Sequence, residues 1–90
     1  MSSPTSPSKI RLFIKPYCGW CDEAIEWLEA RRLPYQVLDV IENAAARREM
    51  VALSGQTLAP VIEVDGEVLA DFGVDQLEVW WAEHGWKNNA

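Results

Sequence analysis

Ninety residues give enough chain for one domain with a two-layer core, and too little for two cores. A net charge of −6 argues against a nucleic-acid partner, since phosphate binding needs clustered Lys and Arg. No stretch approaches the roughly 18 consecutive apolar residues of a membrane span, so no membrane partner is expected. Residues 1–9 read MSSPTSPSK, polar and Pro/Ser-rich with no signal-peptide hydrophobic region, which predicts a disordered tail ahead of a domain over residues 10–90. Without an export signal the expected compartment is the reducing cytoplasm, where a permanent structural disulfide would be unusual.

Ile10-Arg-Leu-Phe-Ile14 alternates and is apolar enough for a buried first strand. Lys15-Pro16-Tyr17 interrupts it, and Cys18 to Arg32 reads as a helix with Cys21, Ala24, Ile25 and Leu28 at helical spacing. Asp22, Glu23, Glu26 and Glu29 read as its solvated face. Leu33-Pro34 ends the helix, because the residue before proline is pushed out of the helical region. Tyr35 to Val40 follows as a second strand, and strand–helix–strand in this order predicts a parallel pair. A second helix is expected from about Asn43 to Ser54, with Ala46, Met50 and Leu53 as its apolar stripe and Gly55 just past its end. Val61–Val64 and Glu67–Ala70 flank Asp65-Gly66, the strongest short hairpin signal in the chain. A last helix is expected to start with Asp75 as N-cap, Glu78 completing a capping box and Val74 stapled on Val79, and to stop at Gly85. The order β-α-β-α-β-β-α predicts an α/β fold: a four-stranded mixed sheet flanked by three helices, the minimal thioredoxin-like layout.

The chemistry centres on Cys18-Gly19-Trp20-Cys21 at the start of the first helix. A thiol attacks a disulfide only as thiolate, and a helix N-terminus stabilises thiolate with unpaired N–H groups and the positive end of its dipole. Lys15 adds a positive charge upstream. Cys18 is the expected nucleophile, and Cys21, one turn in, the thiol that resolves the mixed disulfide. C-x-x-C within a βαβ context is far more specific than the bare pair. Two cysteines and a distant His84 speak against a mononuclear zinc site, which ordinarily takes four ligands. His84 suits the negative end of the last helix. Trp27, Trp80, Trp81 and Trp86 read as packing or interface residues, and the Arg31-Arg32 and Arg47-Arg48 pairs as surface charges.

These residues resemble the glutaredoxin family. Lys15-Pro-Tyr-Cys-Gly-Trp-Cys21 is similar to its active-site motif, Leu33-Pro-Tyr-Gln-Val37 to the entry to its second strand, Ser54-Gly-Gln56 with Ala59-Pro60 to its cis-proline loop, and Gly73-Val-Asp75 to the start of its final helix. The resemblance covers about residues 10–84. It implies a glutathione-dependent thiol–disulfide oxidoreductase acting as a monomer on protein disulfides and glutathione mixed disulfides. It also implies a glutathione groove: Lys15 and Tyr17 beside the cysteines, the backbone of Ala59 before a cis Pro60, and Val74 with the Asp75 side chain at the γ-glutamyl end. Each has a plainer alternative: Lys15 as a solvated charge, Asp75 as an N-cap only, Pro60 as a turn device.

Two positions depart from the pattern. Leu58 stands where the family usually has Thr, and Phe72-Gly73 where it usually has Gly-Gly, so the Phe72 ring is expected to narrow or cover the γ-glutamyl end. Phe72 and Leu58 bring in a first alternative, a redoxin recharged by thioredoxin reductase that supplies ribonucleotide reductase. Gly19, in place of the usual proline, brings in a second. This is a [2Fe-2S] cluster held between two subunits, with Cys18 as the ligand from each chain and glutathione completing the set. Ordinary thioredoxins are less similar: they keep a buried Asp six residues before the nucleophile, where this chain has Leu12.

Overall fold

The computed structural model describes residues 7–86. Its elements are β1 (Ile10–Ile14), α1 (Gly19–Ala30), β2 (Gln36–Asp39), α2 (Ala44–Ser54), β3 (Val61–Val64), β4 (Glu67–Ala70) and α3 (Val74–Glu83). The strands lie in the order β2-β1-β3-β4. β1 pairs parallel with β2, Leu12 opposite Val37, and antiparallel with β3, Leu12 opposite Ile62. Parallel pairing follows from the helical crossover, and the antiparallel β3–β4 hairpin from Asp65-Gly66, both in the left-handed region at φ 48° and 92°.

Alternation along the strands divides the core between the two faces of the sheet. Ile10, Leu12, Ile62 and Val64 pack with Ala24, Trp27 and Leu28 of α1 and with Leu77 and Trp81 of α3. Phe13 and Val61 turn to the opposite face, against Ala46 and Met50 of α2. The same alternation carries Arg11 and Glu63 to the α2 side, where one guanidinium meets both Glu63 and Glu49 at 2.6 Å. These bonds, Glu49 foremost, raise the Arg11 pKa against the opposing effect of burial, so the guanidinium keeps its charge between the two carboxylates. Arg11→Ala leaves the half-buried Glu63 without its cation and is expected to cost about 2 kcal/mol, against under about 1 kcal/mol for Glu49→Ala at the exposed end. Urea midpoints at unchanged m-value measure both; equal losses would contradict this division.

Three tail residues, 7–9, lie among the described ones, and two are tied down. The backbone N–H groups of Ser8 and Lys9 donate to the Asp65 carboxylate, at 3.0 and 2.8 Å, and Asp65 N–H returns a bond to the Lys9 carbonyl. The Asp65 side chain thus fastens the approach to β1 onto the hairpin turn. The rest of the expected tail, residues 1–6, lies outside the described residues, as do residues 87–90.

The helix termini carry one correction. α3 begins two residues earlier than Asp75 predicts: Gly73 is its N-cap, and the Gln76 side chain accepts from the Gly73 N–H at 2.8 Å. Asp75 therefore sits in the first turn, where its charge meets the positive end of the helix. Val79 is exposed rather than stapled. Glu78 leaves the cap altogether and takes Arg31, the C-cap of α1, at 3.3 Å, while the Arg31 guanidinium lies 3.9 Å from the Trp27 ring centre. Arg31 is thus a tie between α1 and α3 rather than a solvated surface charge. Glu29 is likewise engaged, accepting from the Tyr35 hydroxyl at 2.8 Å, which helps hold Tyr35 just outside β2. Burial first, then this bond, raises the Tyr35 pKa.

The C-terminus of α3 is closed by Gly85 at φ 68°. Trp86 N–H reaches the Trp81 carbonyl and Gly85 N–H the Ala82 carbonyl, a left-handed cap in which Trp86 packs edge-on against Trp81. His84 stacks on Trp86 with a ring nitrogen 2.8 Å from the Trp80 carbonyl, the helix-end placement its position predicts. Among the described residues no helix is long and apolar enough to cross a membrane.

Candidate active site

Leu12 and Phe13 are fully buried, so β1 is anchored on both faces and delivers the chain rigidly to the β1–α1 turn. Within that turn Tyr17 takes a positive φ of 58°, uncommon for a residue with a side chain, and projects its ring wholly into solvent. The backbone then re-enters the extended region at Cys18, the N-cap of α1. An N-cap side chain accepts from the first turn, and here the acceptor is sulfur: Cys21 N–H points at Cys18 Sγ at 3.1 Å.

The two cysteines are joined as a disulfide with their Cα atoms 5.1 Å apart. Their surroundings differ. Cys18 is half-buried, whereas Cys21 is fully buried against the α1 core face. One sulfur is therefore open to an incoming disulfide and the other is reachable only from within. The described residues hold no group of three or more His, Cys, Asp or Glu side chains converging on a metal-sized site. A bridging cluster would draw one thiolate from each chain, Cys18 here, and a Cβ built on Gly19 would meet nothing within 4 Å beyond its chain neighbours and its own helix backbone. The space after the nucleophile is thus open.

Beside the disulfide runs a groove of about 430 Å³ lined by Trp20, Glu23, Gly73, Val74, Asp75 and Gln76. It brings Val74 and Asp75, predicted at the γ-glutamyl end, into one depression with Trp20. Lys15, Tyr17, Ala59 and Pro60 are not among the residues lining it. Lys15 is half-buried and makes no ion pair among the described residues. The Ala59–Pro60 bond is cis, with Pro60 buried and its carbonyl accepting from Asp71 N–H at 2.8 Å.

Phe72 does not cover the groove. Its ring is 1% exposed and packs in the core with Leu77 and Trp81, leaving Gly73 to line the depression. The adjacent Asp71 has a positive φ of 51°, and a chain turning at Asp71 sends the next side chain inward, which residue type alone does not reveal.

The sequence places Gln56 in the cis-proline loop motif but gives its side chain no role. Its side-chain amide donates to the Leu58 carbonyl at 3.1 Å and to Ser54 Oγ at 3.2 Å, and its oxygen accepts from Leu58 N–H. Ser54 Oγ in turn donates to the Met50 carbonyl at 2.6 Å, tying the loop to the last turn of α2. Beyond that motif, the signal for the clamp was a long polar amide two residues ahead of Leu58.

A helix-capping thiol joined to a buried thiol one turn on, set in a thioredoxin-like sheet, defines a dithiol thiol–disulfide oxidoreductase. The Glutaredoxin family model matches residues 10–69, and the chain belongs to the glutaredoxin family. Glutaredoxin 3 of Escherichia coli (strain K12) is 31% identical over 70 residues, covering 78% of this chain and 82% of its own. An uncharacterized glutaredoxin-like 8.6 kDa protein in the rubredoxin operon of Clostridium pasteurianum is 29% identical over 69 residues, covering 77% of this chain and 92% of its own. Among solved structures, the thioredoxin-like protein BC3987 superposes with a TM-score of 0.73 at 31% identity, over 79% of this chain and 97% of that one.

Proposed function

We propose that this oxidoreductase is glutathione-dependent and reduces glutathione mixed disulfides and protein disulfides. The observation that carries the reading is the asymmetry of the cysteines beside the groove: an open Cys18, a buried Cys21, and a depression running from Trp20 to the start of α3. The Cys18 thiolate attacks the glutathionyl sulfur of a mixed disulfide, forming a Cys18–glutathione disulfide and expelling the other thiol. A second glutathione thiolate then attacks the adduct, releasing oxidised glutathione and restoring the Cys18 thiolate. On a protein disulfide, Cys21 instead attacks the mixed disulfide at Cys18. The substrate leaves as a dithiol, and two glutathiones reduce the Cys18–Cys21 disulfide.

The groove suits the tripeptide in kind. Val74 and Asp75 open α3, where backbone N–H groups without helical partners favour a carboxylate, while the Asp75 side chain favours an ammonium group. Lys15, which makes no ion pair among the described residues, is available to a second carboxylate. A reducing compartment such as the cytoplasm would keep the pair as dithiol between turnovers.

Trapping tests the reading. Cys21→Ser protein mixed with a glutathione mixed disulfide is expected to gain one glutathionyl group on Cys18 by intact mass. Addition of glutathione should then remove it. A protein that forms no such adduct, while remaining folded, would overturn glutathione dependence.

A further inference from the structure

We infer that Gln56 is a positioning residue that restricts the substrate-pairing loop to a single open residue, Ala59. The inference rests on the glutathione-dependent reading above. Leu58 has both backbone groups taken by the Gln56 amide. Pro60 has no N–H, and its carbonyl is taken by Asp71 N–H. Between them Ala59 has neither its N–H nor its C=O bonded to any described residue. Along residues 58–60 the backbone therefore offers one donor and one acceptor, on the same residue, next to the buried cis proline.

A side-chain amide can hold a neighbouring residue's N–H and C=O at once only with its oxygen facing the N–H and its nitrogen facing the C=O. Gln56 meets both demands, and its second N–H is used by Ser54 Oγ. Both N–H groups of the Gln56 amide are thus engaged, and through Ser54 the clamp is referenced to Met50 of α2. With Leu58 pinned from the chain side, its side chain stands outward, 54% exposed, and Ala59 is held at a fixed orientation. An incoming disulfide can make a two-bond pairing through one residue, the one bearing its sulfur, and cannot extend the ladder to Leu58. This favours a compact adduct such as a glutathionyl group over an extended peptide strand.

The test is steady-state reduction of the mixed disulfide of glutathione and 2-mercaptoethanol by the full chain. Gln56→Ala is expected to raise KM about 5- to 10-fold, the equivalent of one poorly oriented hydrogen-bond pair, with kcat and the pH dependence of Cys18 alkylation unchanged. Gln56→Glu keeps the acceptor for Leu58 N–H but sets a carboxylate against the Leu58 carbonyl. Its KM relative to wild type is expected to be raised at about pH 8 and to fall back as the acid gains a proton around pH 4. A loss of packing alone would not produce that pH dependence. Folded Gln56→Ala with KM within twofold of wild type would overturn the inference, as would a Gln56→Glu penalty that does not change with pH. If Gln56→Ala fails to fold, the Gln56→Glu profile decides. If wild type itself does not turn over this substrate, the glutathione reading fails separately. The same KM ratios are then read with a short cysteinyl-peptide disulfide.

Discussion

Cys18→Ser is expected to abolish turnover, lowering the rate by about 10³-fold or more, while Cys21→Ser retains the removal of glutathione from mixed disulfides and loses the reduction of protein disulfides. The difference follows from the two environments. Cys18 caps α1 and is half-buried where Cys21 is enclosed, so its sulfur is the one that can be struck from solvent. Cys21 is fully buried, one helical turn in, and can act only on a disulfide already formed at Cys18. Its backbone N–H, 3.1 Å from Cys18 Sγ, stabilises developing charge on Cys18 whether residue 21 is Cys or Ser. The Ser variant therefore keeps the activating contact and loses only the resolving thiol. Parallel assays with a small glutathione mixed disulfide and with a disulfide-bonded protein substrate separate the roles. Equal losses in both assays for Cys21→Ser would contradict them.

The largest stability effect is expected at Phe72. Truncation to Ala opens a cavity among Leu77, Trp81 and the inner faces of β1 and β3, at a cost of about 3–5 kcal/mol. Phe72→Leu refills most of that volume and is expected to cost under about 1.5 kcal/mol. Its KM for a glutathione mixed disulfide should match wild type, because the ring faces the core and Gly73 lines the groove. Urea unfolding gives the first pair of values and steady-state kinetics the last. A lowered KM in Phe72→Leu would show instead that the ring obstructs the site. Of the two departures from the family pattern, Phe72 is buried and Leu58 faces solvent.

The parts of this molecule that could be read from the chain are those governed by local backbone chemistry. Asp65-Gly66 specifies a hairpin because both residues tolerate positive φ, and Cys18 could be placed at a helix start because Lys15-Pro16-Tyr17 cannot continue β1. Asp75 misled for a local reason too. A carboxylate is a better isolated cap than glycine, yet Gln76 satisfies the Gly73 N–H and makes Gly73 the start. What stayed hidden depends on side chains that meet through the fold. Arg31 and Glu78 are 47 residues apart and adjacent only because α1 and α3 share one face of the sheet. The inward turn of Phe72 follows a left-handed Asp71, a conformation that residue identity permits without demanding. Gln56 shows the same limit at short range: two residues separate it from Leu58, but nothing in its type says that its amide will close on that backbone.

Glutathione dependence is the centre of this account, and one coupled assay bears on it most directly. Oxidised protein is mixed with reduced glutathione, glutathione reductase and NADPH, a small mixed disulfide is added, and NADPH consumption is followed. Steady consumption that disappears with Cys18→Ser is the predicted result. Folded protein that consumes no NADPH in this system, yet does so when thioredoxin reductase replaces glutathione and its reductase, would contradict it.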